Sequence, residues 1–228
     1  LNCGPDRRPH GIDLDARGRV YVLSEASSRL LCFDGAENPD PVTRVPTGGD
    51  GSHFVTVTRD GRRAYCSNMG SDTVTAISPD GIAEPVAIPV GIRPEGSVLS
   101  ADESRLYVTN RESASISVID TGTLTVLTSI DTAPGPVRVC RDPAGRLLVA
   151  LYHGRGLAVI DPTRPDDQAR LTLPDRAVSI SHDDPAGCAM LSILGDQVCV
   201  VDLTSLSLTH CIATRADPDP TALVRRVS

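Results

Sequence analysis

Arg105-Leu106-Tyr107-Val108-Thr109-Asn110, followed by Ser115-Ile116-Ser117-Val118-Ile119-Asp120, is the stretch that decides the fold. The first segment concentrates β-branched and aromatic residues, and the second alternates polar with apolar at period two; both patterns belong to half-buried strands. Asn110-Arg111-Glu112-Ser113-Ala114 forms the loop between them. Asp120-Thr121-Gly122-Thr123 turns the chain, its Asp able to bond the backbone two residues on. Leu124 to Ile130 makes the next strand. Ahead of this stretch lie a short strand at Gly96 to Ser100 and the polar turn Ala101-Asp102-Glu103-Ser104.

Outward from this unit the chain copies itself. Tyr107 and its neighbours recur as Val20-Tyr21-Val22, Ala64-Tyr65-Cys66, Leu147-Leu148-Val149 and Ala189-Met190-Leu191. The strand ends recur as Asp34, Ser78, Asp120, Asp161 and Asp202, spaced 44, 42, 41 and 41 residues apart. A fixed period of this size makes each copy one supersecondary unit that buries its apolar faces against its neighbours. No segment carries a helical period. Four short antiparallel strands per copy is the unit of a β-propeller blade, so an all-β propeller is expected. We place residues 1–228 in a single propeller domain with blades at about 8–48, 49–92, 93–133, 134–174 and 175–215. Leu1-Asn2-Cys3-Gly4 matches the end of a fourth strand, Ile88-Pro89-Val90-Gly91, and Pro220 to Val227 matches a first strand. Five blades are complete, and a sixth built from the two chain ends is the alternative.

Leu106-Tyr107-Val108-Thr109-Asn110 and Ala64-Tyr65-Cys66-Ser67-Asn68, each followed by its alternating strand, resemble the YVTN-type propeller repeat. Pro9-His10-Gly11-Ile12-Asp13-Leu14-Asp15, running on to Val20-Tyr21-Val22, also resembles gluconolactonase and streptogramin (virginiamycin B) lyase propellers. The resemblance spans nearly the whole chain. It implies the fold strongly and the function weakly, because such repeats serve lactonases, lyases and binding proteins alike.

Composition narrows the classes. A formal charge of −7 over 228 residues argues against a nucleic-acid binder, which needs clustered positive charge. The apolar runs are strand-length, so no membrane-spanning helix is expected. All 22 basic residues are Arg, which removes Lys Schiff-base chemistry. Seven cysteines, an odd number with no CxxC spacing, fall mostly inside strand patterns and fit free thiols in a reducing compartment. A cytoplasmic location is therefore expected over a secreted one, while the missing initiator Met points to a trimmed or processed start that leaves export open. A Cys188–Cys199 bridge across one hairpin is the alternative for those two residues.

Propeller geometry tells which residues meet. The starts of the innermost strands open on the channel mouth, and their second positions align as His10, His53, Glu95, Val137 and Val178. Two imidazoles and a carboxylate at one level could act as an acid–base pair, since His titrates near neutrality. The same three could instead hold a divalent metal, the cofactor that the resembled lyases and gluconolactonases imply. The bland alternative is a solvated polar funnel. Loops between second and third strands add Arg111, Glu112, Tyr152, His153 and Arg155 as candidate ligand contacts, with the arginine forks suited to a carboxylate or phosphate. Asn68 and Asn110 occupy matched positions and point to a repeated structural role. Two functions stay open: binding of a small molecule or protein partner at this funnel, and lactonase- or lyase-like catalysis there.

Overall fold

Each copy of the repeat folds into one sheet of four strands, joined in sequence order and antiparallel. The computed structural model describes residues 1–183, 185–215 and 218, with the Asp183 side chain left aside. The first sheet contains β1 (Pro9–Leu14), β2 (Val20–Ser24), β3 (Arg29–Phe33) and β4 (Thr43–Pro46). The second contains β5 (Ser52–Val57), β6 (Ala64–Asn68), β7 (Thr73–Ile77) and β8 (Val86–Pro89). The third contains β9 (Pro94–Leu99), β10 (Arg105–Asn110), β11 (Ser115–Asp120) and β12 (Thr125–Asp131). The fourth contains β13 (Pro136–Arg141), β14 (Leu147–Leu151), β15 (Gly156–Ile160) and β16 (Gln168–Thr172). The fifth contains β17 (Ala177–Asp183), β18 (Cys188–Ile193), β19 (Gln197–Asp202) and β20 (Ser207–Ala213). These sheets are the blades of a β-propeller, and no helix occurs among the described residues.

The burial pattern follows from stacking sheet on sheet. β2, β6, β14 and β15 are buried at every residue, as the middle strands of sheets that contribute to the apolar cores. The outer strands β12 and β20 are mostly exposed and carry Thr, Ser and His accordingly. Asp-led turns join third to fourth strands as expected: Asp120 Oδ1 accepts the Gly122 and Thr123 N–H groups at 3.0 and 2.8 Å. Asp202 accepts those of Thr204 and Ser205 at 2.9 and 2.7 Å. These backbone bonds hold both carboxyls below their ordinary range.

The chain divides into two compact units, the first made of Leu1–Glu112 with Ser117–Ser129, the second of Ser113–Ile116 with the chain from Ile130 onward. In the first, β1 packs on β5 and β5 on β9, around cores that include Tyr21, Leu23, Val55, Cys66 and, further along, Val74, Leu106 and Ile119. In the second, β13 packs on β17 around Leu148, Leu157, Leu191 and Val201.

Two expectations are corrected. Leu1 to Gly4 forms no strand; the Gly4 N–H bonds the Asn2 side chain at 2.9 Å in a turn instead. Cys199 is bonded to Cys211, not to Cys188. The register explains it: Cys199 faces Cys211 across β19 and β20, whereas Cys188 faces Asp202. The matched segment Pro220 to Val227, and with it the six-blade alternative, lies outside the described residues.

Candidate functional site

One device recurs at the start of every inner strand. The carbonyl of the residue preceding the strand, Arg8, Gly51, Arg93, Gly135 or Arg176, accepts the N–H of Glu25, Met69, Arg111, Tyr152 or Leu194 at 2.7–3.0 Å. Four of these residues have positive φ: Arg8 (56°), Gly51 (62°), Arg93 (60°) and Gly135 (72°). Glycine meets that demand without strain, and the two arginines meet it against their preference. Two residues later each inner strand bulges, with register breaks between Pro9 and Ile12, Ser52 and Phe54, Pro136 and Arg138, and Ala177 and Ser179. The third blade breaks register at the same place, between the Val108 and Asn110 pairings. A β-bulge re-aims the side chain it carries. The bulge residues are the aligned set His10, His53, Glu95, Val137 and Val178.

In the first unit the bulges assemble a continuous row. The His10 and His53 rings stack with centroids 3.7 Å apart and planes tilted by 30°. His10 Nδ1 lies 3.1 Å from the His53 carbonyl oxygen, which fixes it as the donor in that pair. His53 Nε2 lies 3.8 Å from Glu95 Oε1. Glu95 is 7% exposed, and its Oε2 accepts from Arg111 Nη1 at 3.3 Å. Glu112 Oε1 stands 3.8 Å from Arg111 Nε on the outer side. All five sequence-selected residues of this unit therefore meet.

Close packing holds the row. Gly11 sits so near β5 that a Cβ would fall 3.0 Å from both the His53 carbonyl and the Val55 nitrogen. Beneath the row, Asn68 and Asn110 are fully buried. Asn68 Nδ2 donates to Thr75 Oγ1 at 2.8 Å and its Oδ1 accepts from Ser52 at 2.8 Å, while Asn110 Nδ2 donates to Ser117 Oγ at 2.9 Å. Their matched role is structural, as the repeat implied, and rests on these bonds: neither residue has positive φ.

The remaining candidates belong to the second unit. Tyr152 and His153 meet edge to face at 5.1 Å, and the Arg176 guanidinium covers the Tyr152 ring at 5.1 Å. Arg155 is the left-handed residue of its loop (φ 48°), bonds the Pro174 carbonyl and lies 4.0 Å from Asp175.

The residues present do not fit a divalent metal. Among the described residues no group of three His, Cys, Asp or Glu side chains could hold an ion. His10 Nδ1 is directed at a backbone carbonyl, the two imidazoles stack on each other at a tilt, and Glu95 already carries the Arg111 cation. The donors do not converge on a point, as tetrahedral or octahedral ligation requires.

Sequence comparison matches the chain to the uncharacterized protein YncE of Salmonella typhimurium, 24% identical over 169 residues covering 72% of this chain and 47% of that protein. A seven-bladed β-propeller protein of Mycobacterium tuberculosis, Rv1057, is 30% identical over 160 residues, covering 64% of this chain and 38% of that protein. The chain is a β-propeller whose repeats are similar to the YVTN type. It spans about half the length of YncE and less of Rv1057. No protein-family model matches it. Among solved structures this propeller is similar to a streptogramin B lyase (TM-score 0.82, 13% identity, covering 96% of this chain and 74% of that one). It is likewise similar to virginiamycin B lyase from Staphylococcus aureus (TM-score 0.79, 15% identity, covering 93% and 72%). At these identities the likeness is one of fold.

Alignment of the repeats finds the bulge residues of this propeller but misses their supports. Gly51 and Gly135 signal positive φ at the kink, whereas Arg8 and Arg93 do the same work with no such signal.

Proposed function

We propose that the row His10–His53–Glu95–Arg111 binds a small, polar, uncharged organic ligand. The observation that carries this is the continuity of the row across three consecutive blades, at a bulge that the other two blades fill with Val137 and Val178. Two carboxylates, Glu95 and Glu112, face the Arg111 guanidinium, a balance that suits an uncharged ligand better than a phosphate or polyanion. His10 is exposed and uses Nδ1 internally, which leaves Nε2 for a ligand. Ile12 and Leu14, both exposed on β1, supply apolar surface beside it. This combination suits an ester, lactone or amide: a few polar anchors beside apolar area. The test is a thermal-shift screen of neutral lactones and amides against wild type and Glu95→Gln. Compounds that stabilise wild type and lose at least half their shift in the variant support the reading. Hits indifferent to Glu95→Gln refute it.

The second reading is ring-opening chemistry with His53 as base. Glu95, 3.8 Å from His53 Nε2, would orient that imidazole, an arrangement that tightens when substrate excludes water. It draws support from the fold shared with a virginiamycin B lyase solved with quinupristin. Incubation with quinupristin followed by mass spectrometry tests it. Eliminative opening leaves the mass unchanged while altering retention, hydrolysis adds one water, and an intact macrocycle ends this reading.

A further inference from the structure

Tyr21 and Tyr65 occupy the same position in consecutive blades, and only one has a carboxylate. In blade one, Asp15 is buried, and its Oδ2 accepts from Arg19 Nε at 2.7 Å and from the Tyr21 hydroxyl at 3.1 Å. Its Oδ1 accepts the Arg19 N–H at 3.0 Å. The backbone identifies the equivalents without ambiguity: the Asp15 N–H bonds the Arg19 carbonyl as the Thr58 N–H bonds the Arg63 carbonyl. Thr58 Oγ1 takes over one duty of the carboxylate, accepting the Arg63 N–H at 3.1 Å. The Thr58 side chain offers nothing for the other. A threonine has no second oxygen, and the groups it would have served remain in place.

Those groups line an open cavity of about 280 Å³ formed by Thr58, Asp60, Arg62, Arg63, Tyr65 and Glu103, with Thr121 beside them. Tyr65 is 1% exposed, and its hydroxyl lies beside the Arg63 and Thr121 side chains without a hydrogen bond of normal geometry. An unsatisfied buried hydroxyl is costly, so a native structure normally fills such a place. Arg63 donates Nη1 to the Thr121 carbonyl and has no carboxylate within ion-pair distance among the described residues. The two carboxylates at the cavity are engaged elsewhere. Asp60 Oδ1 accepts from Thr58 Oγ1 at 2.8 Å and from the Arg62 N–H at 2.9 Å, with Arg62 Nε 3.6 Å from its Oδ2. Glu103 Oε1 accepts the Arg59 N–H at 2.8 Å.

We propose that this cavity binds a small organic carboxylate, placed on Arg63 and Tyr65 as the Asp15 carboxylate is placed on Arg19 and Tyr21. One oxygen takes the guanidinium and the phenol, and the substituent occupies the open side. The site is separate from the bulge row and stands whether or not that row binds a ligand.

Sodium acetate is the probe, titrated against sodium chloride at matched ionic strength with acetamide as the uncharged control. Wild type should show a saturable rise in melting temperature with acetate and none with acetamide. Tyr65→Phe should weaken the acetate response at least threefold. Thr58→Asp combined with Asp60→Asn builds the blade-one carboxylate into blade two while avoiding repulsion between neighbouring acids. That variant should melt higher than wild type without acetate and no longer respond to it. Absence of a saturable acetate effect in wild type, the result if only water satisfies Tyr65, overturns the proposal. So does an acetate effect of equal size in Tyr65→Phe, which decides the matter even if the double variant fails to fold.

Discussion

Arg111 and Glu95 face each other across sixteen residues of chain, Nη1 to Oε2 at 3.3 Å, and the carboxylate is almost wholly shielded from water. Removing the cation takes a hydrogen-bonded partner from a buried carboxylate. Arg111→Ala should cost about 2 kcal/mol in urea unfolding, below the range for fully buried pairs because Arg111 keeps partial solvent access. In a Glu95→Gln background the same substitution should cost less than half as much, and a double-mutant cycle reads the difference. Equal costs in both backgrounds would show the pair to be uncoupled.

Gly11 marks the closest approach of β1 to β5. A Cβ there meets backbone atoms at 3.0 Å, and backbone cannot give way as a flexible side chain can. Gly11→Ala should therefore destabilise by about 1–3 kcal/mol, the usual cost of overpacking. It should also part the stacked imidazoles, visible as changed side-chain shifts of both His10 and His53.

Asp15 and Asp13 should shape the acid limb of stability in opposite senses. Burial pushes the Asp15 carboxyl up, but bonds from Arg19, Arg17 and Tyr21 outweigh it and hold the group below its ordinary 3.8. Its contribution is then full above the unfolded value and is lost as pH falls through the folded one. Asp15→Asn should lower stability at pH 7 and flatten the limb below about pH 4. Burial raises the Asp13 carboxyl despite bonds from the Val57 and Leu14 N–H groups. A raised acid penalises the fold at neutral pH and ceases to do so once protonated. Asp13→Asn should accordingly raise stability at pH 7 with no gain at pH 3, since an amide oxygen can still accept the Val57 N–H.

Asn68→Ala should cost about 1–3 kcal/mol, because it leaves the buried Thr75 and Ser52 hydroxyls to find new partners. Asn110→Ala should behave alike through Ser117. Parallel losses in thermal melts would confirm that one role is repeated in two blades.

The legible parts of this molecule are those that repeat. Strand periodicity is local, so the triplets around Tyr21, Tyr65 and Tyr107 and the Asp-led turns could be placed from sequence. The period then carried position from blade to blade, which aligned His10, His53 and Glu95 before any coordinates. Three features stayed hidden for physical reasons. The positive φ of Arg8 and Arg93 is imposed by tertiary hydrogen bonds against arginine's own preference. The Cys199–Cys211 pairing depends on a register that breaks between Val200 and Val201, and sequence does not encode that break. The orphaned Tyr65 hydroxyl arises from a residue that is absent: Thr58 is unremarkable until compared with Asp15.

If the bulge row of the first unit receives a ligand, as we propose, two of the five histidines must report it. Side-chain ¹³C–¹H spectra recorded while neutral lactones and amides are titrated should show His10 and His53 moving together and saturably, with the response lost in Glu95→Gln. Saturable binding that moves His153, His182 or His210 while leaving His10 and His53 unchanged would place the ligand elsewhere and rule the row out.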